Sequence, residues 1–280
     1  MKKIIAIVMA LAMVFSLALV FTSCTDNAAT GEESSTEADA ATGMTAKEGV
    51  LVMATNAAFP PYEFVEGGEY AGIDVEIAGK IAEKLGMTLE IKDVEFGSII
   101  GGVQTGKFDI GMAGMTVTPT RLESVNFSTT YATGIQVVIV AEGSSITSLD
   151  DLVGDGSMKF GVQQDTTGDI YASSSVEDGG YGEENVVRYK TGADAVQALK
   201  TGKVDAVIID NEPAKSFVAA NEGLKILDAE WAVEDYAIAI AKENTELLTA
   251  VNNALAELEA DGTIADIIAK YIPTSEDTTA

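Results

Sequence analysis

The chain has no histidine, one cysteine (Cys24), one tryptophan and two arginines, Arg121 and Arg188. Without histidine, Ser-His-Asp and Cys-His catalysis and every His-bearing metal site are excluded. A single cysteine excludes an internal disulfide and a zinc-finger ligand set. Cations are scarce as a class, with 17 Lys and Arg against 44 Asp and Glu for a formal charge of −27. A surface of that sign repels phosphate backbones, so no nucleic-acid partner is expected. The acids form no D-x-D-x-D-G calcium loop, and neither metal nor cofactor is expected. What remains is carboxylate chemistry or binding without chemistry. The 280 residues, 47% of them hydrophobic, suffice for one or two cored domains.

Met1-Lys2-Lys3 precedes an apolar run over residues 4–21, broken only by Ser16. A short cationic start before an apolar segment reads as a secretory signal, although the run is also long enough for an uncleaved membrane anchor. Cys24 follows Phe21-Thr22-Ser23, and small residues before a lone cysteine resemble the signal of bacterial lipoproteins. There, lipid is attached to the cysteine and cleavage falls before it. Residues 1–23 are therefore expected as signal peptide and Cys24 as the lipidated membrane anchor. Residues 24–48, poor in large apolar groups except Met44, are expected as a disordered tether spanning on the order of 25 Å.

From Val50 onward, short apolar runs alternate with helical patterns, which predicts an α/β fold around parallel-rich sheet. Residues 50–54 read as a buried strand. Ile73, Ile77, Ile81 and Leu85 recur every four residues before Gly86, a helix with its stop. A strand through Leu89, Ile91 and Val94, a helix over 99–105 and a strand over 108–114 follow. The pattern then returns: QTGKFD at 104–109 matches KTGKVD at 200–205, 96 residues later. That offset sets Ser98 over Asp194 as helix N-caps and Gly114 over Asp210 at the carboxyl ends of strands, where open α/β sheets bind ligands. Apolar strands over 135–140 and 237–241 are suited to cross between two lobes. Amphipathic tail helices over 246–261 and 264–271 need the first lobe to pack on. The expected division is 49–133 with 237–273 for lobe 1 and 134–236 for lobe 2, leaving 274–280 as a disordered tail.

Thr116-Val117-Thr118-Pro119-Thr120-Arg121 is the most informative segment. Pro119 fits the first turn of a short helix capped by Thr118. In a chain that otherwise uses lysine, arginine here points to planar, two-pronged recognition of a carboxylate. Arg188, in a polar strand, reads as an ordinary surface cation.

TNAAFPPYEF (55–64), GIDV (72–75), AGMTVTPTR (113–121) and VNFS (125–128) resemble, in order, the polar amino-acid solute-binding proteins of ABC importers. The resemblance runs from about Val50 to Tyr271. It implies a two-lobed type II periplasmic-binding fold with two crossing strands as hinge, closing on one amino acid and presented, as a monomer, to a membrane permease. By position it implies Arg121 on the ligand α-carboxylate with Thr116 adding a hydroxyl. It also implies the Ala113-Gly114 segment, through the Gly114 carbonyl, and Asp210 on the α-ammonium. Thr166 and Thr167 would receive an anion at a helix start, and Phe59 and Phe96 would sandwich the side chain. Asn56 and Gln163 fall where relatives choose the side chain. An amide at Asn56, where many relatives carry Asp, favours a neutral polar ligand, with a basic one second. The alternatives are a cyclic-acid dehydratase-like enzyme on the same fold, or a sensor or adhesin lipoprotein.

Overall fold

A computed structural model of the protein describes residues 43–153, 156–228 and 231–273. The signal segment, Cys24 and residues 274–280 lie outside the described residues. β1 (Val50–Thr55) is nearly all apolar and buried, as a strand covered on both faces should be. A small antiparallel sheet follows, built of β2 (Ala58–Phe59), β3 (Glu63–Glu66) and β4 (Glu69–Ala71). α1 (Ile73–Lys84) buries Ile73, Ile77 and Ile81 at the four-residue spacing, and Gly86 beyond it takes φ 67°. Gly72, just before α1, has φ 121°, and a Cβ there would stand 2.2 Å from the Tyr62 carbonyl oxygen. No other residue fits that turn. β5 (Thr88–Asp93), α2 (Ile99–Gln104), β6 (Ile110–Gly111), α3 (Pro119–Ser124) and β7 (Val125–Phe127) complete the outward half of the lobe.

The chain then enters β8 (Ala132–Ala141) and builds β9 (Phe160–Gln163), α4 (Thr167–Ser173), β10 (Val186–Tyr189), α5 (Gly192–Lys200), β11 (Ala206–Asp210), α6 (Asn211–Ala219) and β12 (Leu224–Ile226). It returns through β13 (Ala232–Tyr236) and β14 (Ala239–Ala241) to α7 (Thr245–Ala260) and α8 (Thr263–Tyr271). The first sheet has the order β5-β1-β6-β14-β7, and the second β10-β9-β11-β8-β12 with β13 also on β8. Leu247, Val251, Leu255 and Leu258 of α7 and Ile264 and Ile267 of α8 join Ile77 and Ile81 of α1 in one core. The tail thus packs on the first lobe.

Several expectations need correction. The strand expected over 108–114 is only two residues of ladder, because Met112 bonds to Ala54 and the chain then turns at Gly114, φ 50°. Ser98 ends a 3-10 turn in helical conformation and makes no side-chain cap. Asp194 is not a cap either. Thr191 is, its hydroxyl accepting from the Asp194 N–H and donating to the Asp194 carboxylate, a reciprocal capping pair. The second crossing falls within the stretch expected over 237–241, at its start: β13 lies in the second sheet, β14 in the first, and the chain passes between them at Ala237 and Ile238. The last residues of the expected tether are docked. Met44 is buried in the first core and its carbonyl accepts from Asn244 Nδ2 at 2.8 Å, while the Ala46 N–H donates to Asp109 at 2.8 Å.

Candidate functional site

Arg121 projects from α3, which is set as the sequence dictates: Pro119 opens the helix, and the Thr118 hydroxyl accepts from the Arg121 N–H. The guanidinium is buried and fixed from two sides. Nη1 donates to the Thr116 carbonyl at 2.8 Å, and Nη2 reaches across to the Asp165 carbonyl on the second lobe at 3.1 Å. Its planar face lies 5.2 Å from the Phe96 ring centroid, a cation–π contact. Burial pulls its pKa down, while the charges of Glu234 and Asp210 act against that. Arg188 is tied to Asp169 and Glu183 and does not line the same cavity as Asn56 and Asp210.

Asp210 ends β11 at the carboxyl edge of the second sheet and precedes α6 without capping it through its side chain. Its carboxylate takes the Tyr236 hydroxyl instead. Gly134 on the paired strand makes room for that hydroxyl, since a Cβ there would stand 2.1 Å from it. Burial first, then the neighbouring charge of Glu234, pushes the Asp210 pKa up. Thr166 caps α4 by accepting from the Asp169 N–H.

All eleven ligand-site residues expected from the sequence line one cavity, joined by Glu63, which was not expected. Phe59 is buried in the wall and Phe96 half-buried beneath Arg121. Asn56 is committed at both ends of its amide: Nδ2 donates to the Val94 carbonyl at 2.8 Å, and Oδ1 accepts from Gln163 Nε2 at 2.9 Å across the lobes. Thr116 differs from its expected role, since its hydroxyl donates to Glu234 Oε2 at 3.1 Å.

Glu63, on β3, is 1% exposed, with its Oε2 buried and without a hydrogen-bond partner. Burial, followed by the charge of Asp74, holds its pKa well above the carboxylate range. In sequence Glu63 looks like one more surface acid of a short polar hairpin. The only signal was its place beside the apolar Pro60-Pro61-Tyr62 turn.

The fold and cavity define a class: two α/β lobes joined by crossing strands, meeting over a small cavity lined by one fixed cation and two acids, Glu63 and Asp210. A family model, bacterial extracellular solute-binding proteins, family 3, matches residues 51–274, and the chain belongs to that family. It is 33% identical over 224 residues to the arginine-binding extracellular protein ArtP of Bacillus subtilis, covering 79% of this chain and 85% of that one. It is 28% identical over 230 residues to the L-cystine-binding protein TcyJ of Escherichia coli, covering 80% and 83%. Among solved structures, an ancestral arginine-binding protein bound to arginine superposes with TM-score 0.74 at 39% identity, over 80% of this chain and 99% of that one. The ancestral amino acid-binding protein AncCDT-1, a precursor of cyclohexadienyl dehydratase, gives TM-score 0.72 at 32% identity over 80% and 95%.

Proposed function

We propose that the protein captures a free basic amino acid outside the cytoplasm and hands it to the permease of an ABC importer. A zwitterion needs a cation and an anion a few ångströms apart, and Arg121 and Asp210 supply them from opposite lobes. Only the closed form meets both ligand charges, so ligand shifts the population toward closure. The proposed lobes are 49–133 with 237–273, and 134–236. The side-chain class rests on one observation: Glu63 brings a carboxyl group to the cavity wall, while the amide of Asn56, the basis for expecting a neutral ligand, is bonded at both ends. A guanidinium or ammonium beside Glu63 displaces its proton to solvent and pairs with the carboxylate. The arginine-binding relatives support the same reading. A neutral polar ligand is the second reading, favoured by a further ancestral arginine-binding structure that is bound to glutamine.

The same proposal includes lipidation at Cys24 after removal of residues 1–23, and action as a monomeric binder. Enzymatic turnover is set aside, because the named relatives are binding proteins. A thermal-shift screen of residues 43–273 against the amino acids tests the function. Ligand at about 100 times its Kd adds about 2.7 kcal/mol, a rise of roughly 5–10 °C. Arginine or lysine should give the largest shift, and Glu63→Gln should reverse the order in favour of glutamine. A profile in which cationic ligands are inert sinks the side-chain assignment, and one in which every amino acid is inert sinks the function.

A further inference from the structure

We propose that Glu234 is a specificity-determining positioning residue. By taking the hydroxyl protons of Thr116 and Thr167, it leaves both oxygens facing the cavity as acceptors only, which selects an α-ammonium over the corresponding deaminated acid. The inference rests on the amino-acid reading above.

Glu234 sits on the inward face of β13, 3% exposed, and is not itself part of the cavity wall. Backbone pairing brings it beside the site. Thr116 bridges Tyr236, the Val117 N–H donates to the Asp235 carbonyl at 3.0 Å, and the Ala237 N–H donates to the Met115 carbonyl at 3.0 Å. One carboxylate oxygen, Oε2, then accepts three bonds: from Thr116 Oγ1 at 3.1 Å, Thr167 Oγ1 at 3.0 Å and Gln136 Nε2 at 3.0 Å. Gln136 Nε2 also lies 3.4 Å from Thr167 Oγ1 as a donor, so that threonine receives from one side and gives to Glu234.

A hydroxyl has one proton and two lone pairs. With the proton spent on Glu234, each threonine offers the cavity a lone pair and nothing else. The two threonines come from different lobes and both line the cavity. Asp210, the third group at this corner, also accepts, from Tyr236. An ammonium with three N–H donors fits three acceptors, whereas a carboxylate placed there meets only lone pairs. The carboxylate is left to Arg121, whose Nη1 and Nη2 each spend one proton on a backbone carbonyl and keep one. The role that sequence resemblance implied for Thr116, a donor to the carboxylate, is thereby reversed.

Glu234→Gln keeps the shape but adds an amide nitrogen that donates to the threonine oxygens and frees their protons toward the cavity. The test measures affinities by calorimetry for L-arginine and 5-guanidinopentanoate, its deaminated analogue. If the screen favours glutamine, the pair is L-glutamine and 5-amino-5-oxopentanoate. The wild-type protein should prefer the amino acid by about a hundredfold or more. In Glu234→Gln that preference should shrink by about tenfold or more, with the amino acid weakened and the deaminated acid unchanged or tightened. Thr116→Val should erode the same ratio and Thr116→Ser preserve it, which decides the matter if Glu234→Gln does not fold. Equal weakening of both ligands, or an unchanged ratio, makes Glu234 a mere strut and overturns the inference. If the wild-type protein binds no amino acid, the function reading has failed and this inference falls with it.

Discussion

Asp74 and Asp210 are buried aspartates, one in each lobe, and burial pushes both above the ordinary carboxylate range. Their surroundings assign them different work. Asp74 is occupied by its own lobe: Oδ2 accepts the Gly114 N–H at 2.8 Å and the Tyr131 hydroxyl at 2.9 Å. It holds the Gly114 turn against α1 from behind the cavity wall. Asp210 stands in the wall itself, held by Tyr236 and pressed by Glu234. Burial alone therefore does not mark a ligand-binding acid. What marks one is an acceptor still facing the cavity after the fold's own donors have been counted.

The strongest way to break that comparison is Asp210→Asn. Removing the anion opposite an α-ammonium should weaken binding by about 2–5 kcal/mol while leaving the second lobe folded. Calorimetry showing near-normal affinity would return Asp210 to the structural class. Asp74→Asn should do the reverse. It turns a double acceptor into an amide facing two donors and should cost about 1–3 kcal/mol of stability, read as a lower urea midpoint at unchanged slope. A large affinity loss with intact stability would mean that the two aspartates had been assigned backwards.

A pH titration sharpens the contrast without mutation. A carboxyl that titrates at about 3.8 unfolded and about 7 in the folded protein keeps its proton longer in the native state. Stability should therefore fall as pH rises from about 4 to about 7 and level off above. In ligand-free protein the melting temperature should drop between pH 5 and 7.5, and Asp74→Asn should flatten part of that slope. A rising or level profile contradicts the burial argument. The smallest expected effects separate the two tyrosines. Tyr131→Phe removes one donor from Asp74 and should cost about 0.5–1.5 kcal/mol of stability with affinity unchanged. Tyr236→Phe should move affinity as well, by a few-fold, because its partner faces the ligand.

Local signals were the legible part. The four-residue spacing of α1, its Gly86 stop and the Thr118-Pro119 start that aims Arg121 depend on neighbours in the chain, and each stands where the sequence indicates. The eleven cavity residues were legible through resemblance, not through periodicity. Thr191-Gly192-Ala193-Asp194 carries its own capping-box spacing, a more local signal for the start of α5 than the 96-residue repeat that pointed to Asp194. Glu63 and Glu234 were not legible because tertiary pairing buries them. In β13 the apolar Val233 is exposed, at 71%, while the charged Glu234 is buried, at 3%. Alternation still held, as Glu234 shares the inward face with Tyr236. Hydrophobicity pointed the wrong way.

Met44 makes the two lobes unequal under tension. The described chain enters at the first lobe, pinned between that lobe's core and Asn244 at the start of α7. Were the chain anchored upstream, as proposed above, the tether would load this lobe directly and reach the other only through the crossings between the two sheets.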